Sequence, residues 1–278
     1  MLIIGERLNA TRKQICSAIR ERNEKFIADE AAAQLRAGAA MLDVNAGADP
    51  SEEKQHLCWL VETVLAATNA PLCLDSSSPD ALEAALNVAL KMISSSTCGS
   101  DPKVPRLMIN SISAEQEKYI AILPLVKHHN TAVVALCMDE SGVPNTVEER
   151  VIVGGRLVER LLSDKIVPEN IYVDPLVVPV GVNPTSGVDV LNAAVQMKEK
   201  YPGIKTILGL SNISFGLPCR QLLNSAFLAI AVYAGVDAAI IDPLDKKLMS
   251  ILKAALAVTG KDLYSTDYIA HFRAGNIV

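Results

Sequence analysis

The sequence predicts a (β/α)8 TIM barrel, and three observations carry that expectation. An apolar run of strand length, ending in a polar residue and followed by a helical pattern, occurs eight times along the chain. The runs are continuously apolar, as in parallel sheets covered on both faces. Eight such units in 278 residues match the count and size of a barrel of about 250 residues. The length also admits two smaller domains, but the repeat runs without a break and favours one domain over residues 1–278.

Strand one is Leu2–Ile4, ending in Gly5-Glu6-Arg7-Leu8-Asn9. Ala10-Thr11 opens a helix that runs to about Ala39, with a break expected near Asn23 and Gly38 near its end. Strand two, Met41–Val44, ends at Asn45 and precedes a helix over roughly 52–68. Strand three, Pro71–Leu74, ends in Asp75-Ser76-Ser77-Ser78, and Ser78 or Asp80 caps the helix that follows to about Met92. The Ser, Gly and Pro content of Ser94 to Pro105 reads as a loop. Strand four is Arg106–Ile109, ending in Asn110-Ser111-Ile112-Ser113, and strand five is Ala132–Cys137, followed by Asp139. Strand six is Ile171–Val173, ending in Asp174-Pro175. Strand seven, Thr206–Leu210, breaks into Ser211, Asn212 and Ser214. Strand eight is Ala238–Ile241, ending in Asp242-Pro243, and a helix over 245–258 follows. Residues 263–269 suit one more helix. A doubly wound sheet is disfavoured, because no GxGxxG follows strand one and the P-loop pattern is missing.

Composition narrows the function. The chain is 50% hydrophobic and 21% charged with a net charge of -5, which is globular and argues against a nucleic-acid binder. No run reaches the roughly 18 uncharged apolar residues of a membrane span, and Met1 leads into a strand pattern without a signal peptide. The six cysteines, at 16, 58, 73, 98, 137 and 219, form no CxxC pair. The economical reading is a reduced, cytoplasmic compartment, with no zinc spacing and with His128-His129 as a solvated helix end.

In a barrel of this type the active site lies at the C-terminal ends of the strands. Those ends carry Glu6, Arg7, Asn9, Asp43, Asn45, Asp75, Asn110, Ser111, Asp139, Asp174, Ser211, Asn212 and Asp242, with no His and no Cys. About half would serve as loop anchors or caps. The rest form a wall of acceptors and amide donors. Such a wall suits a ring with adjacent N–H and amino groups, a pterin or a purine, since a carboxylate accepts two such bonds side by side. An octahedral Mg²⁺ site is an alternative, ranked lower because amides are as numerous as carboxylates. A nucleophilic serine lacks a base at the rim. Glycosidase chemistry lacks the aromatics that would stack a sugar, with one Trp in the chain.

Six motifs fall in order at strand ends: GERLN (Gly5–Asn9), LDVNAG (Leu42–Gly47), LCLDSS (Leu72–Ser77), MINSIS (Met108–Ser113), VDPLV (Val173–Val177) and LGLSNIS (Leu208–Ser214). Together they resemble the pterin-binding methyltransferases that move a methyl group between methyltetrahydrofolate and a corrinoid protein. That family is similar in fold to dihydropteroate synthase and to the folate module of cobalamin-dependent methionine synthase. The resemblance implies that Asp75, Asn110 and Asp174 hydrogen-bond the pterin ring and that Gly209 and Ser211 form the strand-seven floor. It further implies that Asn212 lies beside N5, the nitrogen that carries the methyl group, and that Arg220 is associated with the folate site. Some members carry Gln where this chain has Phe215, so the polar surroundings of N5 differ here. A homodimer through outer helices is also implied. The apolar run Ala226–Ala234 suits such a face, although a core helix against the barrel is the commoner explanation of such a stripe.

Displacing a methyl group from N5 requires a proton or a strong hydrogen bond on that nitrogen, a general-acid problem usually worth 10²–10⁴-fold. Asn212 is no acid, so its expected effect is electrostatic and positional. The acceptor implied by the resemblance is Co(I) of a corrinoid (cobalamin). The DxHxxG signature of corrinoid-binding modules is absent, so the corrinoid is expected on a separate protein docked over the barrel mouth. Two rivals stay open. Dihydropteroate synthases place Lys or Arg beside the strand-seven Ser, where this chain has Asn212. A non-catalytic folate-binding protein would keep the ring-binding residues without needing Asn212.

Overall fold

The computed structural model describes residues 1–94 and 104–278. Among these residues eight parallel strands close into a barrel in sequence order: β1 (Leu2–Asn9), β2 (Met41–Asn45), β3 (Leu72–Asp75), β4 (Leu107–Ser113), β5 (Ala132–Leu136), β6 (Ile171–Asp174), β7 (Lys205–Gly209) and β8 (Ala238–Ile241). The outer layer is α1 (Lys13–Arg20), α2 (Glu24–Arg36), α3 (Glu53–Thr68), α4 (Pro79–Ser94), α5 (Gln116–His129), α6 (Val147–Ser163), α7 (Ser186–Lys200), α8 (Arg220–Tyr233), α9 (Lys246–Val258) and α10 (Thr266–Arg273). The expected TIM barrel is therefore present. Most of the loop at 94–105 lies outside the described residues.

Alternation along each strand sorts the side chains into two cores. Residues facing outward, such as Leu42, Val44, Leu72 and Ile109, pack under the helices. Residues facing inward form an apolar plug of Ile4, Met41, Cys73, Met108, Ala132, Val134, Tyr172, Ile207 and Ala238. The residue two further along each strand faces inward again, one layer nearer the mouth.

Local chemistry sets the element ends. The first helix is two: Arg22 is left-handed (φ 54°), and the Asn23 side chain accepts from Phe26 N (3.1 Å), so α2 starts afresh as expected. Its start differs from expectation. The Asn9 carboxamide accepts from Thr11 N (3.0 Å) and holds 10–12 as a turn, so α1 begins at Lys13. Ser78 caps α4 by accepting from Ala81 N (3.2 Å). Strand β4 runs further than expected, through Asn110 to Ser113, with its register to β5 broken between Asn110 and Ile112. The expected helix over 263–269 forms as a 3-10 turn, Leu263–Ser265, that leads into α10 and runs on to Arg273. On α8, Phe227, Leu228, Ala231 and Val232 are buried, whereas Leu222, Ala226, Ile230 and Tyr233 are exposed, so the apolar run serves both faces.

The β1–β2 register also breaks, between Gly5 and Leu8. There Gln34 of α2, fully buried, accepts from Arg7 N (3.1 Å) in place of a ladder partner. A Cβ at Gly5 would collide with the Gln34 side-chain oxygen. Gly5→Ala should therefore cost roughly 1–3 kcal/mol, read from urea unfolding. Unchanged stability would mean that Gln34 does not hold this break.

Candidate active site

A cavity of about 380 Å³ opens at the C-terminal end of the barrel. It is lined by Glu6, Asn9, Thr11, Arg12, Asp43, Asp75, Asn110, Asp174, Gly209, Ser211, Asn212 and Ile240. Seven of these are the inward residues one layer above the plug. Glu6 follows Ile4, Asp43 follows Met41, Asp75 follows Cys73, Asn110 follows Met108, Asp174 follows Tyr172, Gly209 follows Ile207, and Ile240 follows Ala238, each by two residues. Register aligns neighbours, with Asn45 opposite Asp75 and Asp75 opposite Asn110.

Each carboxylate has a partner that fixes its orientation. Asn45 Nδ2 donates to Asp75 Oδ2 (3.0 Å). Asn110 Nδ2 donates to Asp43 Oδ1 (3.4 Å). Leu176 N donates to Asp174 Oδ1 (2.8 Å), from a turn in which Leu176 is left-handed (φ 66°). The turn is braced from behind by the fully buried Arg150, whose Nε donates to Pro175 O (2.8 Å). Ser211 Oγ donates to Glu6 Oε2 (2.9 Å). A carboxylate has about four acceptor positions, so these bonds leave acceptor capacity facing the cavity.

Desolvation dominates the electrostatics. Burial raises Asp43 well above the ordinary carboxylate range, and the neighbouring Asp75 charge adds to it. Burial raises Asp75 too, against the Asn45 hydrogen bond. Burial pushes Asp174 up to about 7, opposed only by the Leu176 amide. Glu6 is likewise raised by burial, against Ser211 and Arg12.

The rim set predicted from sequence divides. Arg7 turns away to pair with Glu30 and with Asp242 (2.9 Å). Asp139 pairs with Arg156 (2.7 Å), and neither it nor Ser111 lines the cavity. Asn212 does line it, as the exposed residue of an otherwise mostly buried 3-10 turn over 210–214 rather than from the strand itself, because β7 stops at Gly209. Arg220 lies just behind that turn and braces it, Nη2 donating to Ser211 O (2.7 Å) and Nε to Ser214 Oγ (3.1 Å). Phe215 is 67% exposed beside it. Thr11 and Arg12, expected in the opening of a helix, instead lie in the turn before α1 and line the cavity. Their only signal is polarity directly after a strand end. Among the described residues no group of three His, Cys, Asp or Glu side chains is placed to hold a metal ion, and no helix is long and apolar enough to cross a membrane.

The barrel with a carboxylate-and-amide layer at its mouth defines a class, and residues 5–242 match the pterin binding enzyme family, to which this chain belongs. It is 36% identical to a methylcorrinoid:tetrahydrofolate methyltransferase of Eubacterium limosum over 100% of this chain and 98% of that protein. It is 33% identical to methionine synthase of Mycobacterium leprae (strain TN) over 87% of this chain and 20% of that one. Among solved structures, the dihydropteroate synthase of Xanthomonas albilineans superposes with a TM-score of 0.66 at 19% identity, over 94% and 93% of the two chains, a likeness of fold.

Asp174 yields a stability prediction. Its folded value of about 7 lies above the ordinary 3.8, so the folded state binds more protons between those values. Stability is then lost as pH rises from about 4 to about 7. Asp174→Asn should stabilise the ligand-free protein above neutrality, on the order of 1–3 kcal/mol, and flatten that decline. Chemical denaturation at stepped pH measures both. A wild-type protein whose stability does not fall over that range would contradict the desolvated carboxyl.

Proposed function

We propose that this protein transfers a methyl group between N5 of tetrahydrofolate and the cobalt of a corrinoid carried by a separate protein. The observation that carries the reading is a single cavity with two unlike ends. A buried Asp174 and the half-buried Asp75 and Asn110 lie at one end, and a neutral exposed amide, Asn212, lies at the mouth. The full-length likeness to the Eubacterium limosum methyltransferase supports the same reaction.

In this reading Asp75, Asn110 and Asp174 accept and donate hydrogen bonds along the pyrimidine edge of the pterin, and Gly209 gives the ring a floor without a side chain. Asn212 sits beside N5. Its carboxamide can accept from a protonated N5 and donate to an unprotonated one. It therefore follows the charge that changes as the C–N bond forms or breaks. Ser211 and Arg220 hold the turn that presents it. The corrinoid is a second substrate, delivered by a docked partner protein, and the metabolism around the enzyme sets the direction of transfer. A neutral amide after Ser211 cannot supply the fixed cation of the dihydropteroate synthase reading. The exposed stripe Leu222, Ala226, Ile230 and Tyr233 on α8 supports homodimerisation through an outer helix. The reduced cytoplasm remains the compartment that suits unpaired cysteines.

The test is anaerobic mixing with methyltetrahydrofolate and free Co(I) cobalamin, following loss of the Co(I) absorbance. Methylation should require the protein and survive a chelator. Asn212→Ala should slow it about 100-fold while folate affinity falls far less. Equal losses in rate and affinity would reduce Asn212 to a binding residue. Folate binding without any methyl transfer would favour a binding protein.

A further inference from the structure

Four carboxyl or amide groups of the cavity, Asp75, Asn110, Asp174 and Asn212, have work in the proposed reaction, but Glu6 has none. It is not a surface residue, since its side chain is 22% exposed at the cavity wall. Its place is set by topology. In the closed barrel β7, β8 and β1 are consecutive, and β3 and β4 lie across from them. Glu6 on β1 therefore shares one half of the rim with Ser211 and Asn212, while Asp75 and Asn110 occupy the other. A pterin held at Asp75 and Asn110 presents its far edge, the N5 side, to Glu6, Ser211 and Asn212.

The hydrogen bond between Ser211 and Glu6 has a defined polarity. Ser211 Oγ donates its proton to Glu6 Oε2 (2.9 Å), so the serine oxygen is free to accept from the cavity. Arg12 Nη2 reaches the other carboxylate oxygen (3.4 Å). The remaining charges acting on Glu6 are Asp242 at the end of β8, Arg220 on α8 and Asp43 on the neighbouring β2. Burial outweighs the two arginines and raises the carboxyl, moving it toward the range in which a group both takes and returns a proton near neutrality.

The geometry points to Glu6 as the residue that holds the N5 proton, with the Ser211 hydroxyl as the relay. The inference rests on the methyl-transfer reading. Toward methylated folate, the N5 lone pair forms the new N–C bond. The Co–C bond breaks with its electron pair left on cobalt, giving Co(I). The N5 proton passes to Ser211 Oγ as the serine proton passes to Glu6 Oε2. Toward methylated cobalt every step reverses, and Glu6 returns the proton through Ser211 as the N–C bond breaks. Asn212 stabilises the N–H charge, and Glu6 is its source and sink, the acid that an amide cannot be.

The test compares wild type, Glu6→Gln, Glu6→Asp and Ser211→Ala in the same anaerobic assay over a series of pH values. Folate affinity and proton uptake on folate binding are measured beside it by calorimetry in two buffers of different ionisation enthalpy. Glu6→Gln should bind folate with affinity close to wild type, transfer methyl about 100-fold more slowly, and lose one limb of the pH–rate profile. It should also take up less proton on binding. Glu6→Asp should regain part of the rate and the lost limb, and Ser211→Ala should slow transfer in the same direction. Wild-type rate and profile in Glu6→Gln would overturn the inference alone, as would a loss of folate affinity as large as the loss of rate. A wild-type protein that binds folate and transfers no methyl group would overturn the methyl-transfer reading and this inference with it.

Discussion

Closing eight parallel strands leaves every second side chain facing the barrel axis, with no helix and little water to meet it. The first inward layer is apolar and seals the floor. The next contains Glu6, Asp43, Asp75, Asn110 and Asp174. Polar groups in such a place must be satisfied by one another or by a ligand. The pairs Asn45–Asp75, Asn110–Asp43, Leu176–Asp174 and Ser211–Glu6 do the first part. They fix orientation and consume only some of the acceptor positions. What remains is a rigid array of acceptors, and ring N–H groups are its natural complement. The cavity is thus a consequence of alternation, with its second layer left incompletely satisfied.

The same layer is poor in cations. Arg7 is bound to Glu30 and Asp242, and Arg12 divides itself between Glu6 and Asp242 at 3.4 Å each. Asp43, Asp75 and Asp174 face desolvation with little to oppose it. Ionising these carboxyls in the ligand-free site therefore carries a cost to stability. A ligand that donates N–H bonds favours the ionised form and relieves that cost. Local instability in the empty protein is the expected companion of tight recognition in the filled one.

Much of this was legible in the sequence because it is local. Asp43, Asp75, Asn110 and Asp174 each stand two residues beyond an apolar residue of a strand, and the period of two carries them to the same face. The break at Asn23 was legible for a similar reason, since its side chain caps the next helix. Long-range geometry was harder to read. Arg7 and Arg12 look alike at the end of β1, yet one turns to α2 and the other to the cavity, a choice set by Glu30, 23 residues along from Arg7. Thr11 was lost because Asn9 reaches over two residues and delays the helix. Arg220, placed at the folate site by resemblance alone, also braces the turn through Ser211 and Ser214, a contact that no local pattern shows. Ile240, two residues beyond Ala238, reaches the wall by the same alternation, beside Gly209.

Depth separates the two tasks of the site. The ring-facing groups lie deep, Asp174 at 8% exposure with Asp75 and Asn110 half-buried, because hydrogen bonds discriminate best where water does not compete. Asn212 is the exposed side chain of its turn, and Phe215 stands in the solvent beside it. A methyl group that must pass to or from a metal held by another protein has to leave the barrel, so the reacting end cannot be buried. A lysine or arginine on that turn would fix a positive charge where N5 itself gains and loses one. A neutral carboxamide can accept when N5 is protonated and donate when it is not. The turn therefore needs a group that responds to both states, and the carboxyl that titrates belongs one layer down, at Glu6.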